Sequence, residues 1–465
     1  MMAKEFACPA KKKKAQPEKS VKIIIEKKMK NSITCLLLLF CLPLFSQMPI
    51  PAKKQTKSIL LMNGTAHLGN GQVIQNSLVG FKDGKITLVV DATVVRLDKA
   101  AWDTTIDCSG KQIYPGFIAP NTTLGLTDVE AVRATNDFRD VGGYNPHVRS
   151  QIAFNTDSKI NPTVRTNGVL LAQVTPRGGR ISGTSSIMAL EGWNWQDATI
   201  KADDGVHLNW PSYYSRNWNE DDGFSAYTQN KDYETQRQNL EQFFAESKSY
   251  SENPGAVEKN LRLEAMRGIF TGTQVLYIHA DLLKEITEAI TFAKKFGIAH
   301  MVIVGGSDSW KCTEVLKQNN IAVMLTRVHS LPLRNDDDVD QPYKTAAQLQ
   351  DAGVLFCIQN EGDMEASNAR NLPFQAGTCV AFGLTQEQAI AALSGNSAKI
   401  LGIDKITGTL EIGKDATLFV SEGDALDMKT NDVTWAFIQG KKLDLRNEQI
   451  ELYQRYEEKY GLKNK

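Results

Sequence analysis

Short apolar runs alternate with amphipathic ones from Val169 to Leu393, and this rhythm constrains the fold more than any other feature of the chain. Val169–Val174, Val275–His279, Met301–Val304, Ala322–Leu325 and Leu355–Ile358 are largely apolar runs of strand length, as expected of strands covered on both faces. Helical patterns follow several of them, at Leu282–Phe296, Ser309–Gln318, Tyr343–Asp351 and Gln386–Leu393. A strand that returns through a helix runs parallel to its predecessor. The pattern therefore predicts an α/β fold with a parallel sheet, and residues 113–404 are long enough to close it as a (β/α)8 barrel. The polar segment 213–263, rich in Asn, Asp, Glu and Gln, breaks the rhythm and is expected to form a helical excursion over the barrel mouth.

The two ends have a different texture. Ile59–Gly64 and Leu78–Val90 are β-rich and punctuated by Asn63-Gly64 and Asp83-Gly84, which read as hairpin turns. Gly408–Val420 and Val433–Lys441 look the same. Residues 58–112 and 405–445 are thus expected to build one composite β-sandwich from both ends of the chain.

The first 46 residues set the address. Residues 1–28 are a basic extension, with the run Lys11–Lys14, that reads as an over-extended start of the frame or as a basic tail. Residues 29–46 have the positive start, short apolar run and small terminal residue of a signal peptide, too short to span a bilayer. The expected location is periplasmic or extracellular. Without these 46 residues, 43 basic side chains face 50 acidic ones, a net charge of −7. Such a surface argues against nucleic acid or an anionic membrane as partner, and no integral membrane segment is expected in the mature chain. Cys108, Cys312, Cys357 and Cys379 remain, widely spaced and mostly beside apolar runs. Buried free thiols are the commoner state for such residues, although export permits a disulfide.

One stretch carries a family likeness. Pro115-Gly116-Phe117-Ile118-Ala119-Pro120-Asn121-Thr122-Thr123-Leu124-Gly125 resembles the first barrel strand of the amidohydrolase superfamily, typically Pro-Gly-Phe-Ile-Asp-x-His-x-His-x-Gly. Leu410-Glu411-Ile412-Gly413-Lys414-Asp415-Ala416 is similar to that family's late Leu-Glu-x-Gly-Lys-x-Ala-Asp turn. Asn145–Arg149 and Asn368–Phe374 look like its imidazolonepropionase-like branch. The resemblance, from about Ser58 to Leu443, implies a barrel flanked by a composite sandwich, with hydrolysis of carbon–nitrogen bonds other than peptide bonds. It also implies one or two divalent ions at the strand ends, where bound water is made acidic.

The implied ligands are mostly missing. Asn121 and Thr123 stand where the family has its two strand-one histidines, and amide and hydroxyl oxygens are weak zinc donors. His279 keeps the strand-five position, as a vestigial metal ligand, while Val304–Asp308 carries no histidine for strand six. Glu361 falls at or near the family's catalytic aspartate, with Asp363 beside it. In His207-Leu208-Asn209-Trp210-Pro211 the expected acidic position is Asn209. The resemblance thus makes Glu361 the catalytic candidate and Asn121, Thr123, Asn209 and Asp363 substrate-binding candidates. No tightly bound cofactor is expected; zinc would need ligands beyond these.

Other chemistry finds less support. Arg177–Thr184 could cradle an anion but reads more simply as a flexible βα loop, because no phosphate-loop lysine motif accompanies it. Asp336-Asp337-Asp338 lacks an EF-hand pattern and reads as a solvated loop. No Gly-x-Ser-x-Gly elbow is present. Two functions remain open: an exported hydrolase with an altered, metal-poor site, and a non-catalytic homologue. The second would bind a small polar molecule or pair, as homo- or hetero-oligomer, with a related amidohydrolase.

Overall fold

The computed structural model describes residues 50–462, apart from 216, 217, 220–222, 225, 226, 254, 256 and 257. The expected extension and signal peptide lie outside the described residues. Strands β1 (Ile59–His67), β2 (Val73–Lys82) and β3 (Lys85–Asp91) form an antiparallel meander. Asp83 and Gly84 turn the second hairpin with φ of 51° and 81°, as a two-residue type I′ turn requires. β4 (Thr104–Asp107) and β5 (Gln112–Pro115) then add parallel to β1.

At Gly116 the chain passes from one sheet to the other. The Gly116 N–H donates to Thr417 O at 2.9 Å, while the Phe117 N–H donates to Gly168 O at 2.9 Å. A Cβ at Gly116 would lie 2.8 Å from the Thr417 methyl, so the hand-over leaves no room for a side chain.

The barrel sheet begins with β6 (Phe117–Thr122), β7 (Val169–Val174), β8 (Ile181–Ala189) and β9 (Thr199–Asn209). Two small hairpins follow, β10 (Tyr214–Ser215) with β13 (Thr228–Gln229) and β11 (Trp218–Asn219) with β12 (Gly223–Phe224). The barrel resumes with β14 (Val275–Ala280), β15 (Met301–Gly305), β16 (Ala322–Leu325) and β17 (Phe356–Ile358). The eight barrel strands pair in chain order, with β6 and β17 facing one another across the seam.

One detail departs from strict alternation. β8 runs antiparallel to both β7 and β9. Only residues 175–180 separate β7 from β8, and a parallel crossover needs about a dozen residues or more. The expected βα loop at Arg177 is therefore a tight reversal, with Gly178 and Gly179 at φ of 86° and 67°.

The covering helices follow the expected pattern. Leu283–Phe296 buries Ile286, Ala289, Ile290, Ala293 and Phe296, an i, i+3, i+4 stripe, and stops at Gly297 in the left-handed region. Within the polar insertion the helix Tyr233–Glu252 packs Phe244 edge-on to Phe292 with ring centroids 4.7 Å apart. Further on, β18 (Leu418–Ser421) pairs antiparallel with β5, and β19 (Val433–Ile438) and β20 (Lys441–Lys442) extend that edge. The flanking sheet is thus built from both ends of the chain. No helix of the described residues is long and apolar enough to cross a membrane.

Candidate functional site

The C-terminal ends of the barrel strands bring together residues far apart in sequence. At the end of β6 the ladder to β7 slips between Ala119 and Thr122, and Asn121 takes a left-handed φ of 47°. Asn is among the few side chains that tolerate this region. Its Nδ2 donates to Glu361 Oε2 at 2.8 Å, and its backbone N–H to Gln173 Oε1 at 3.0 Å. Thr123 is buried two residues on.

Arg177 turns inward from the β7–β8 reversal. Nη1 donates to Asn121 Oδ1 at 3.0 Å and to Thr175 O at 3.4 Å; Nη2 donates to Asn121 O at 2.8 Å and Glu365 Oε2 at 3.0 Å. Nε lies 3.9 Å from Glu361 Oε1. Burial disfavours the guanidinium charge, but Glu365 and Glu361 more than restore it.

Glu361 is the centre of this cluster. About a third of its side-chain surface stays open (33%). Burial would raise its pKa, yet Arg177, His279 and the Asn121 amide outweigh that and hold the group at about 2. His279 Nδ1 lies 3.7 Å from Glu361 Oε2, beyond direct hydrogen bonding but suited to a bridging water.

A buried polar chain leads inward from His279. Its Nε2 is 3.0 Å from His207 Nδ1, and His207 Nε2 is 2.9 Å from Ser185 Oγ. Ser185 Oγ is 2.7 Å from Asp204 Oδ1, while Tyr277 and Gln173 donate to Asp204 Oδ2 at 2.8 and 3.0 Å. Asp204 follows Asp203, whose φ of 50° breaks the alternation of β9. A Cβ on the next residue, Gly205, would lie 2.4 Å from the Tyr277 ring, so glycine there lets the phenol reach Asp204.

The donor count fixes the protons. Burial, then the charges of His279 and Arg177, push His207 well below its ordinary pKa, so it is neutral near pH 7. With Asp204 ionised, Ser185 donates to it and accepts from His207 Nε2–H. His207 Nδ1 then accepts from His279 Nε2–H, leaving His279 Nδ1 turned toward Glu361. Burial raises the Asp204 carboxyl, partly offset by the Ser185, Tyr277 and Gln173 hydrogen bonds.

The remaining candidates sit at the rim. Asn209 Nδ2 donates to Gly179 O at 2.8 Å and Ser182 Oγ at 3.0 Å, so its amide braces the β8 reversal. Asp363 is exposed, with its backbone oxygen taken by Arg327 at 2.9 Å. Ser185, Asp204 and Asp281 carried no sequence assignment, and Arg177 entered only as part of a loop that could cradle an anion. Asp281 could have been found from its spacing, since Tyr277, His279 and Asp281 alternate along one strand direction. Its Oδ1 accepts from Ser307 Oγ at 2.6 Å and N at 3.1 Å, and burial raises its pKa.

These donors do not fit a tightly held zinc. His279 Nε2 is engaged by His207, and Asn121 Oδ1 by Arg177. Of the side chains at the positions where the resemblance puts metal ligands, only His279 Nδ1 and Glu361 remain, against about three protein ligands for a catalytic zinc. Among the described residues no three His, Cys, Asp or Glu side chains are grouped to hold an ion. At the aspartate run, Asp337 pairs with Arg334 at 3.1 Å and Asp338 with Lys344 at 2.5 Å, so cations already meet these carboxylates.

Comparison with known proteins agrees with this architecture. No protein-family model matches the chain. An imidazolonepropionase from Rhizobium rhizogenes is 23% identical over 385 residues, covering 76% of this chain and 88% of that protein. An amidohydrolase from Thermotoga maritima MSB8 superposes with a TM-score of 0.68 at 23% identity, covering 83% of this chain and all of that one. An adenosine deaminase from Xanthomonas campestris with bound zinc gives 0.50 at 13% identity, over 86% and 97% of the two chains. The chain thus shares its fold with solved amidohydrolases and is similar in sequence, over most of its length, to an imidazolonepropionase.

Proposed function

We propose that the protein is an exported hydrolase of carbon–nitrogen bonds other than peptide bonds, acting on a small polar amide, cyclic amide or amidine at a metal-poor barrel mouth. The observation that carries this is the orientation of His279. Its Nε2 is tied to His207, and its Nδ1 faces Glu361 across 3.7 Å. A water held in that gap would meet an imidazole base on one side and a fixed carboxylate on the other. Glu361, held low above all by the Arg177 guanidinium, stays ionised and positions that water rather than exchanging protons. The proton that His279 takes from the water is the one it can return to the leaving nitrogen. The 23% identity to an imidazolonepropionase supports the bond class, not a particular substrate.

A second function has its own observation. Every Arg177 nitrogen already faces an acceptor, and Glu361 is locked in the same ion pair. A mouth so saturated also suits a non-catalytic homologue that binds a small polar molecule. Hydrolysis assays on cyclic and acyl amides, with and without a chelator, separate the two. Turnover that resists chelation and is lost in His279→Ala supports the hydrolase. No turnover on any amide, with thermal stabilisation by a polar ligand, favours the binding protein. Export is tested by the N-terminus of protein recovered from the periplasm or medium, which should begin close to Gln47.

A further inference from the structure

We propose that the Arg177 guanidinium has replaced the divalent metal as the resident cation of the barrel mouth, and that its charge keeps such ions out. The proposal rests on the metal-poor half of the function above, not on turnover. Arg177 leaves the chain directly after β7 and links Asn121, at the end of β6, to Glu361 and Glu365, which follow β17. These contacts span the seam where the first and last barrel strands meet without a ladder. A metal centre would brace the seam through its coordination bonds; here a planar cation does so with four hydrogen bonds and an ion pair.

Exclusion follows from distance. An ion bound to Glu361 Oε1 would sit about 2 Å from that oxygen, hence no more than about 6 Å from Arg177 Nε, given the 3.9 Å separation of the two atoms. Like charges at that range repel strongly in a largely buried site. The ion would also need a strand-one donor, and Asn121 Oδ1 already accepts from Nη1 at 3.0 Å. Removing the guanidinium frees Asn121 Oδ1 and the Glu361 and Glu365 carboxylates that it faces, with His279 Nδ1 3.7 Å from Glu361. That group offers enough oxygen and nitrogen donors for a divalent ion.

The test uses the mature chain, zinc alone and cobalt as spectroscopic probe. Wild-type protein should retain no stoichiometric zinc after dialysis, and its melting temperature should ignore both zinc and chelator. Arg177→Met and Arg177→Gln should melt lower, be stabilised by zinc, bind it at least tenfold more tightly than wild type, and give a cobalt d–d absorption band. Arg177→Lys keeps the charge and should gain no zinc. Stoichiometric zinc in the wild type overturns the proposal, as does a natively folded Arg177→Met or Arg177→Gln variant with no gain in affinity. If a variant is too unstable to isolate, zinc-dependent recovery of its melting transition is the readout, and no recovery counts against the proposal. Because no arm measures turnover, this result is separate from the fate of the hydrolase assays.

Discussion

Glu361 and Asn121 lie 240 residues apart and are joined by a hydrogen bond of 2.8 Å from the Asn121 amide to Oε2. The contact ties the last barrel strand to the first, and Arg177 grips both residues from the side. The polar cluster is therefore part of how the barrel closes as well as a candidate site.

Acid should expose this double role. The Glu361 carboxyl sits near 2 when folded and near 4.5 when unfolded. Its contribution is fully present above about pH 4.5 and is lost as pH falls from there through about 2. Allowing for its open third, the contribution is on the order of 2 kcal/mol. Urea unfolding between pH 6 and 3 should show the wild type losing stability more steeply than Glu361→Gln. Parallel curves for the two proteins would refute the assignment.

The inner chain makes a different demand. Ser185→Ala deletes the hydroxyl between Asp204 and His207, leaving His207 Nε2 and Asp204 Oδ1 buried with one partner fewer. The expected cost is about 1–3 kcal/mol. The variant should also shift the His279 tautomer, read from the imidazole nitrogen resonances, because His207 no longer has a fixed acceptor. Wild-type stability together with unchanged resonances would show that the chain does not act as a unit.

The sequence foretold the frame of this site better than its wiring. Pro115-Gly116-Phe117 marked where the chain enters the barrel through its family likeness, and the structure supplies the reason, a hand-over between sheets that leaves no room for a side chain at Gly116. The strand runs at Val275, Met301 and Ala322 were legible because burial on both faces makes them continuously apolar. Arg177 was not legible as a site residue. Its inward turn depends on β8 reversing direction, and its partner Glu365 is 188 residues away. Asp204 is buried directly after Asp203, whose positive φ interrupts the strand, a break that alternation cannot reveal. His279 and Glu361 were visible through family likeness, whereas their geometry needed the closed barrel.

The join between the flanking sheet and the barrel gives a third test. His67 on β1 places Nδ1 2.6 Å from Glu387 Oε1 and Nε2 3.0 Å from Gln112 Oε1, and stacks on Tyr114 with ring centroids 4.4 Å apart. Glu387 Oε2 is buried and already unpartnered. His67→Leu keeps the bulk but strands the Glu387 carboxylate, so it should cost about 2–4 kcal/mol. The double variant His67→Leu with Glu387→Leu should recover part of this. Equal instability of single and double variants in urea would mean that ring packing, not the hydrogen bond to Glu387, holds the join.

The thiols supply the last test. Cys108, Cys312, Cys357 and Cys379 are all buried and unpaired. Burial pushes the first two up to about 11 and the other two up to about 12. Thiolate is the reactive form, so each is protected twice, by scarcity of the anion and by lack of access. Protein made without residues 1–46, and so lacking Cys8, Cys35 and Cys41, should react negligibly with a thiol reagent over minutes in its native state. In guanidinium without reductant it should release all four thiols. Two missing thiols would reveal a disulfide, and fast native reaction of any one would show that its cover opens far more readily than the packing implies.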